Sequence, residues 1–566
     1  MLLGTLALVA FLALEVTADH EWWQTMSLYQ VYPRSYRDSD GDGIGDLDGL
    51  ADNLVHLKDA NIDAFWLSPF YPSPMVDFGY DISNFVDVDP IFGNLADFDK
   101  LVSKAHNLDI KVVVDFVPNH SSDKHDWFQK SVKNIKPYNN YYIWKNGTRH
   151  PNGTVTPPNN WISVFGGSAW EWNDERQAFY FHQFAPQQPD LNYYSEELIE
   201  EMKNALRFWL NRGVDGFRVD AMPHLCEDSR FLDEPLSGLT DDPSNFDYLQ
   251  HIYVKDQARS YEIVKGWRTV LEEYKQEDGK SRVMMIEAYT DTEHTMKFYE
   301  AGADFPFNFW LITMVNENSS AADFKNVVDS WMSNMPKGST PNWVAGNHDN
   351  RRIATRYGPR RAQAITAMTL LLPGIGVTYY GDEIGMVDTW ISWEDTQDPQ
   401  GCGAGKKNYE SYTRDPERSP FQWNNSTSAG FSSNVSTWLP VNDNYLTVNL
   451  ENEKAADDSY FKLYKDISAL RRLPAIREGN LSTRLLNSNV FAFSRETAGE
   501  RSVYVVLNFS SEPQIVDLTA FDKISSKLEV YRASLSSSVV PGDNVNVSGA
   551  KIPANGVVIY VASETT

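Results

Sequence analysis

Cysteine is scarce, because the chain of 566 residues contains two, Cys226 and Cys402. A fold held together by a framework of disulfide bonds is therefore excluded, since such folds need several cysteines. One bridge between the two is compatible with an oxidising compartment, but the sequence does not show whether the two sulfur atoms meet. With 42% hydrophobic and 13% aromatic residues, the chain can instead build a large hydrophobic core.

Basic residues are also in short supply, with 50 Lys and Arg against 77 Asp and Glu. A surface with this charge repels the phosphates of nucleic acids and the headgroups of anionic lipids. Nucleic acids and membranes are therefore not expected as partners. Most of the excess carboxylates are expected to solvate a large surface, and an uncharged substrate fits this composition.

Beyond its N-terminus the chain has no apolar run long enough to span a bilayer. The N-terminal run from Leu2 to Val16 is also too short, and the small residues that follow it predict cleavage after Ala18. Residues 1–18 are therefore predicted to be the signal peptide of a secreted, extracellular protein. The run lacks the usual preceding Lys or Arg, and a retained anchor is the alternative.

Asn-x-Ser/Thr sequences, the acceptors of N-linked glycans, support secretion. Each is a weak signal alone, because the tripeptide is common by chance. Together they predict a glycoprotein, with acceptors at Asn146, Asn152, Asn318, Asn424, Asn425, Asn434, Asn480, Asn508 and Asn546.

Short apolar segments alternate with helical patterns over most of the chain. Glu197–Arg212, for example, repeats apolar residues at helical spacing until Gly213. Eight strand candidates separated by helices predict an α/β fold, the (β/α)8 TIM barrel. The strand candidates are Ser27–Pro33, Ala64–Pro69, Lys111–Val117, Gly216–Ala221, Val283–Tyr289, Phe305–Phe309, Asn342–Asp349 and Gly376–Glu383.

The alternation is interrupted once and ends before the C-terminus. Residues 121–190 are rich in Asn, Pro, Gly and aromatic residues, which predicts a subdomain inserted after the third strand. From residue 481 short alternating strands follow without helices, which predicts a C-terminal antiparallel β-sandwich domain at 481–566. The barrel is thus assigned to residues 19–120 and 191–480.

Three carboxylates stand at the ends of separate strand candidates: Asp220, Glu287 and Asp349. In a closed barrel these ends converge, which favours an active site over three separate helix caps. Arg218 lies two residues before Asp220, so both side chains face the same side of the strand, where a guanidinium would keep the carboxylate ionised. A structural ion pair is the alternative.

A loop rich in Asp and Gly begins at Asp38. Asp38, Asp40, Asp42 and Asp46 occupy the first, third, fifth and ninth positions of a calcium-binding loop, with the backbone carbonyl of Ile44 at the seventh. These hard oxygen ligands predict a structural Ca²⁺ ion. The twelfth position is Gly49, so the loop is not an EF-hand, and a polar turn without a metal is the alternative.

Several strings together resemble the ordered signature regions of the α-amylase family, glycoside hydrolase family 13. They are Asp115–His120, Gly216–Ala221, Glu287 after Met284–Ile286, and Asn347–Asp349. Further strings are similar to the oligo-1,6-glucosidase and maltase subgroup, with insect maltases the most similar, and they are Met75–Asp81, Gln188–Asn192 and Arg414–Trp423.

The resemblance implies a retaining α-glucosidase that acts on maltose, maltooligosaccharides and sucrose and takes part in digestive carbohydrate metabolism. Asp220 would be the nucleophile, Glu287 the acid and base, and Asp349 a stabiliser of the transition state. The resemblance also places the structural Ca²⁺ at Asp38–Asp46. The implied substrate-binding residues are Asp77, Tyr80, His120, Phe165, Phe184, Gln188, Arg218, His348 and Arg414.

Two other functions share this fold. Some relatives are ectodomains of amino-acid transporter heavy chains or cell-surface receptors without activity, but those heavy chains lack the complete set of acids and need a membrane anchor. Others isomerise sucrose or transfer the glucosyl group to a sugar through the same intermediate. Linkage is expected to depend on Ala221, because a small residue beside Asp220 goes with α-1,4 preference in this subgroup and Val with α-1,6.

Overall fold

All eight predicted barrel strands form in the computed structural model, which describes residues 20–522, 524–525 and 527–563. The predicted signal peptide, residues 1–18, lies outside the described residues. The first strands are β1 (Ser27–Val31), β2 (Ala64–Leu67) and β3 (Lys111–Phe116). Five short strands follow: β4 (Trp144–Lys145), β5 (Thr148–Arg149), β6 (Val155–Thr156), β7 (Trp170–Asn173) and β8 (Ala178–Phe181).

The barrel then resumes with β9 (Gly216–Val219), β10 (Val283–Ile286), β11 (Phe305–Pro306), β12 (Asn342–Val344) and β13 (Ile375–Tyr379). The last strands are β14 (Asn480–Asn487), β15 (Val490–Glu496), β16 (Val503–Asn508), β17 (Gln514–Val516), β18 (Leu528–Ala533), β19 (Ala550–Ile552) and β20 (Val557–Ala562).

Fourteen α-helices connect and flank these strands in the described part of the chain. They are α1 (Leu47–Asp59), α2 (Leu95–Asn107), α3 (Asp126–Val132), α4 (Glu196–Leu210), α5 (Ala258–Asp278), α6 (Thr292–Glu300), α7 (Trp310–Thr313), α8 (Ala321–Asn334), α9 (Ile353–Tyr357), α10 (Pro359–Leu371), α11 (Pro399–Ala404), α12 (Leu450–Ala455), α13 (Tyr460–Leu470) and α14 (Pro474–Arg477).

The barrel strands form one parallel sheet in the order β11-β10-β9-β3-β2-β1-β13-β12. Because helices cover the outside and side chains fill the inside, strands such as β9 and β10 are buried at every position. The predicted segments ran further than the strands, since each continued into the loop beyond it. Gly216–Ala221 shortens to Gly216–Val219 because Ala221 adopts a left-handed conformation, with φ 49°.

A side chain joins the two ends of the sheet. The Asn342 amide, which is fully buried, donates to the carbonyl of Pro306 at 2.7 Å, and its oxygen accepts from the backbone N–H of Asn308 at 2.8 Å. Pro306 has no N–H of its own for a regular ladder. The Asn342 amide therefore completes the barrel between β11 and β12.

The segment between β3 and α4 has its own small sheet, β4-β8-β7, and its own apolar cluster around Trp161 and Trp170. The long loop of residues 222–257 packs against it, since Trp161 donates to the carbonyl of Leu232 at 2.8 Å and Val254 joins the cluster. This loop and the insertion together cover the barrel mouth, although the sequence assigned the loop to the barrel. The exact domain boundaries stay a prediction.

The predicted C-terminal antiparallel β domain is confirmed. Strands β14-β15-β16-β20-β18 form an antiparallel sheet, and β17 pairs with β19. The predicted helix Glu197–Arg212 is observed as α4, whose first turn is capped by Ser195 and whose end is followed by Gly213 with φ 89°.

Both cysteines are free thiols; Cys226 is buried and Cys402 is exposed. The prediction of a glycan at Asn508 is wrong, since its side chain is fully buried and its amide donates to the carbonyls of Glu512 and Pro553.

None of the described helices combines the length and hydrophobicity that a membrane crossing needs.

Candidate active site

A cavity of about 360 Å³ opens at the carboxyl ends of the barrel strands. The three predicted catalytic acids lie together in its wall, although they come from three different strand ends. Its lining residues are Asp77, Tyr80, His120, Val164, Phe165, Phe184, Asp220, Ala221, Pro223, His224, Phe246, Lys255, Glu287, Tyr289, His348, Asp349, Gln400 and Arg414.

Backbone hydrogen bonds hold two of these acids firmly. Asp220 and Glu287 each follow the last residue of a strand, and both continue the parallel ladder beyond it. The backbone N–H of Asp220 donates to the carbonyl of Phe116, and that of Glu287 donates to the carbonyl of Val219, each at 2.9 Å. The side chains therefore project into the cavity from the rigid rim of the sheet and not from a mobile loop.

One guanidinium group, that of Arg218, contacts three buried carboxyls. Its Nη1 atom donates to both oxygens of Asp115, at 3.0 and 3.1 Å, and to Asp220. Its Nη2 atom lies 2.9 Å from Oε2 of Glu287. The predicted ion pair of Arg218 with Asp220 is present. The same guanidinium also forms an ion pair with Glu287, which the sequence did not indicate.

Three carboxyls around a single cation cannot all ionise easily in a buried site. Burial raises the pKa of Glu287 to about 8, with the charges of Asp220 and Asp349 adding to the effect. Burial raises the pKa of Asp220 to about 6, against the lowering effect of Arg218. Between these values Glu287 holds a proton and Asp220 is ionised, the arrangement that a proton donor beside a nucleophile requires.

A second cluster of charges surrounds Arg414 in the cavity wall. Arg414 lies 2.8 Å from Asp77, 3.1 Å from Asp349 and 2.6 Å from Asp398. Arg418 adds a second contact to Asp349 at 3.0 Å. Burial acts to raise the pKa of Asp349, but His348, Arg414 and Arg418 outweigh it and lower the pKa. Asp349 is therefore a carboxylate throughout the physiological range.

Polar side chains in and behind the cavity wall are hydrogen-bonded to one another. The Tyr80 hydroxyl lies 2.7 Å from Nε2 of His348, and the two rings are stacked with their centroids 5.4 Å apart. His120 contacts the carbonyl of Tyr80 at 3.1 Å and the amide of Gln188 at 3.1 Å. Of the predicted substrate-binding residues, Gln188 and Arg218 lie behind the cavity wall and the others line it.

Aromatic side chains form part of the mouth. Phe165 and Phe184, from the inserted segment, are half-buried and meet edge to face with their centroids 5.6 Å apart. Half-burial beside a cavity favours a lining role over the core packing that the sequence left open. On the opposite side, Tyr289 stacks on Phe309 with 4.2 Å between centroids.

Sequence reasoning missed several groups in or behind the wall. Asp398 is buried and accepts three hydrogen bonds from Arg414, but it lies in an irregular stretch without a recognisable motif. Arg418 lies four residues beyond Arg414 in a string that carried the resemblance, so its position offered a signal. No such signal in the sequence marked Lys255 or Tyr289.

The predicted calcium loop forms a compact turn. Carboxylate oxygens of Asp38, Asp40 and Asp42 lie within 4.8 Å of one another, which suits a hard cation. Asp46 does not join this group, and its oxygens accept from Ser39 and from Gly49 at the start of α1. The Asp46 carboxylate is thus the N-cap of α1, a role that the spacing alone could not distinguish from metal binding.

A barrel whose mouth holds Glu287, with a raised pKa, beside Asp220 has the pair of acids that a glycoside hydrolase needs. Comparison with known proteins agrees. The family "Alpha amylase, catalytic domain" matches residues 30–479, so the chain belongs to the α-amylase family.

Several proteins that the chain resembles are named as α-glucosidases. The chain is 56% identical to an alpha-glucosidase of Apis mellifera over 96% of this chain and 94% of the relative. It is 47% identical to a salivary alpha-glucosidase of Anopheles gambiae over 95% and 93% of the two chains. The crystal structure of the alpha-glucosyl transfer enzyme XgtA superposes with a TM-score of 0.85 at 32% identity, covering 96% of this chain and 100% of the other. The chain is therefore a glycoside hydrolase of this family.

The charges at Asp220 and Glu287 predict a bell-shaped pH profile. Because activity needs ionised Asp220, kcat/KM should fall as pH drops through about 6. Because it needs protonated Glu287, kcat/KM should fall again as pH rises through about 8. In Glu287→Gln, assayed with an activated aryl glucoside that needs no proton donor, the alkaline limb should disappear. A wild-type profile that stays flat to pH 10 would contradict the assignment of Glu287.

Proposed function

We propose that the protein is a secreted, exo-acting, retaining α-glucosidase that hydrolyses terminal α-1,4-linked glucose of maltose and maltooligosaccharides, and sucrose. The observation that carries this proposal is the arrangement of the cavity. Asp220 and Glu287 stand in the wall, and the ion pairs of Arg414 with Asp77 and Asp398 are proposed to close one end. A closed end admits a chain terminus and excludes the middle of a polymer.

In the proposed reaction, the terminal glucose occupies the closed end, with its hydroxyls bonded to Asp77, His120, His348, Asp349 and Arg414. Asp220 attacks the anomeric carbon while Glu287 donates its proton to the glycosidic oxygen, and the bond to the leaving group breaks. Glu287, now ionised, takes a proton from water, which attacks the same carbon and releases Asp220. Two displacements give net retention.

Asp220 and Glu287 have distinct expected phenotypes. Asp220→Asn should abolish turnover of maltose without unfolding the protein, because it removes the nucleophile and keeps the shape of the side chain. Glu287→Gln should lower kcat on maltose by roughly 10²–10⁴-fold. The first product that the wild-type enzyme releases from maltose, followed by NMR, should be α-glucose. Circular dichroism should confirm that each variant is folded. If β-glucose formed first, or Asp220→Asn kept wild-type turnover, the double displacement would be wrong.

Ala221 is proposed to set the preference for linkage. It lines the cavity next to Asp220, where a methyl group leaves space for the second sugar of maltose. The structure adds a constraint, because Ala221 has φ 49° and its N–H donates to Oε2 of Glu287 at 2.8 Å. A β-branched residue is strained in this conformation and would disturb the contact with Glu287.

The wild-type protein should therefore cleave maltose and sucrose with higher kcat/KM than isomaltose. Ala221→Val should lower kcat/KM on all three sugars through backbone strain, and should also narrow or reverse the ratio of maltose to isomaltose. Discrimination by one or two methyl groups amounts to about 1–3 kcal/mol, so the preference should be graded. Ala221→Ser, which is not β-branched, is the control. A wild-type preference for isomaltose would refute the linkage assignment alone.

Transfer of glucose to a sugar instead of water is a second outcome of the same intermediate. The structural similarity to an enzyme described as an alpha-glucosyl transfer enzyme supports testing it. Product analysis by chromatography at high maltose distinguishes free glucose from new trisaccharides. Absence of both products would favour the non-catalytic alternative, a heavy-chain or receptor ectodomain.

Secretion and N-glycosylation are supported by two observations. A salivary enzyme is among the similar proteins. Six acceptors are exposed on the folded surface, where an oligosaccharide fits without rearrangement: Asn146, Asn152, Asn318, Asn425, Asn480 and Asn546.

A structural Ca²⁺ ion is proposed in the loop Asp38–Asp46. Asp38, Asp40 and Asp42 would hold it with the carbonyl of Ile44, and the ion would neutralise three converging carboxylates. Asp38 also accepts a hydrogen bond from Ser432, so the loop contacts a segment nearly 400 residues later in the chain. Metal binding here would stabilise the native contacts between these segments.

Chelation should lower the melting temperature, because the ion binds the native loop and not the unfolded chain; a site saturated 100-fold above its Kd contributes about 2.7 kcal/mol. Added Ca²⁺ should restore it, and Asp40→Asn should weaken the response. Asp52→Asn, which alters an exposed acid on α1, is the matched control. Calcium-free protein with unchanged melting temperature, together with metal analysis finding no Ca²⁺, would contradict the proposal.

A further inference from the structure

Lys255 differs from every other charged residue in the wall of the active-site cavity. Asp77, Asp220, Glu287, Asp349 and Arg414 are all held in ion pairs. The Nζ atom of Lys255 has no hydrogen bond or ion pair with any described residue, although the side chain is half-buried. Burial lowers the pKa of Lys255. A desolvated ammonium with three unused donors lies in the wall of a sugar-cleaving cavity.

The two acids near Lys255 are engaged elsewhere. The Asp256 carboxylate accepts from the Thr290 hydroxyl at 2.6 Å through one oxygen, and its other oxygen is buried without a partner. Asp291 caps helix α6 and contacts His294 through both oxygens. The remaining titratable neighbours are His224 and His251, and burial lowers the pKa of both, with Lys255 lowering each further. The charges of Asp256 and Asp291 therefore favour the charged form of Lys255. No described residue forms a hydrogen bond or an ion pair with the ammonium.

Lys255 also marks the junction of two cavities. A second cavity of about 450 Å³ shares Lys255 and Tyr289 with the first, and it continues past Thr290, Phe309, Trp310 and Trp331. The indole N–H of Trp331 is buried without a hydrogen-bond partner. Asp77 and Arg414 line the first cavity alone. A leaving group that Glu287 has protonated therefore has space beside Lys255.

We propose that Lys255 is a specificity-determining residue that binds hydroxyl groups of the sugar on the leaving-group side of the scissile bond, and of the acceptor sugar when glucose is transferred. The inference rests on the proposed glucosidase function. Hydroxyls are the chemistry that fits: an ammonium donates to their oxygens, while the aromatic rings of Phe246 and Tyr289 in the same wall suit the apolar surface of a pyranose.

Substrates that differ only in the leaving group test this role. Maltose leaves a sugar with hydroxyls, whereas α-glucosyl fluoride leaves fluoride and makes no contact on that side. Loss of a hydrogen bond to a charged donor typically costs about 10- to 100-fold in binding. In Lys255→Met, kcat/KM on maltose should fall by about 10-fold or more relative to kcat/KM on α-glucosyl fluoride. The yield of trisaccharide at high maltose, relative to glucose, should fall as well.

Lys265→Met, which changes an exposed lysine on α5, is the matched control. Lys255→Arg keeps the charge and should recover part of the maltose rate. Equal loss on both substrates would show a general structural effect and overturn the proposal, as would equal rates for Lys255→Met and wild type. Failure of the wild type to hydrolyse either substrate would instead overturn the proposed function.

Discussion

The contact of one guanidinium with three buried carboxyls is the constraint on which the site depends. Arg218 bonds Asp115, Asp220 and Glu287 at once, and its guanidinium lies 4.8 Å from the centre of the Trp66 ring. One positive charge cannot compensate three negative ones in a dry environment, so the least favourably placed acid keeps its proton. Glu287, with two acidic neighbours, is that acid, and Asp220 stays ionised beside it.

The opposite end of the cavity has a different balance of charge. There, Asp77, Asp349 and Asp398 share Arg414, and Asp349 has Arg418 in addition. With two cations for three acids, Asp349 stays ionised, which suits a group that stabilises positive charge on a sugar ring. The cavity wall thus combines an ion-paired carboxylate, Asp349, with an acid whose pKa is raised, Glu287.

Much of this arrangement could be predicted from the sequence. The strand candidates and the positions of Asp220, Glu287 and Asp349 at strand ends gave the barrel and its acids, because the period of two and the convergence of strand ends are local rules. Contacts between distant loops were not predictable. Asp398 and Lys255 lie in irregular segments, and only the fold shows that Glu287 shares Arg218. Asp46 has the spacing of a metal ligand, and that role stays a prediction, but the spacing does not show that its carboxylate caps the start of α1.

The central claim is that Asp220 forms a covalent bond to glucose while Glu287 assists. It is tested most directly by mass spectrometry of Glu287→Gln after brief reaction with α-glucosyl fluoride, which forms the intermediate without a proton donor and leaves it slow to hydrolyse. The account predicts protein heavier by one glucosyl group, with the group on the peptide that contains Asp220. A glucosyl group on a different residue, or complete turnover of the fluoride with no adduct at any time, would contradict it.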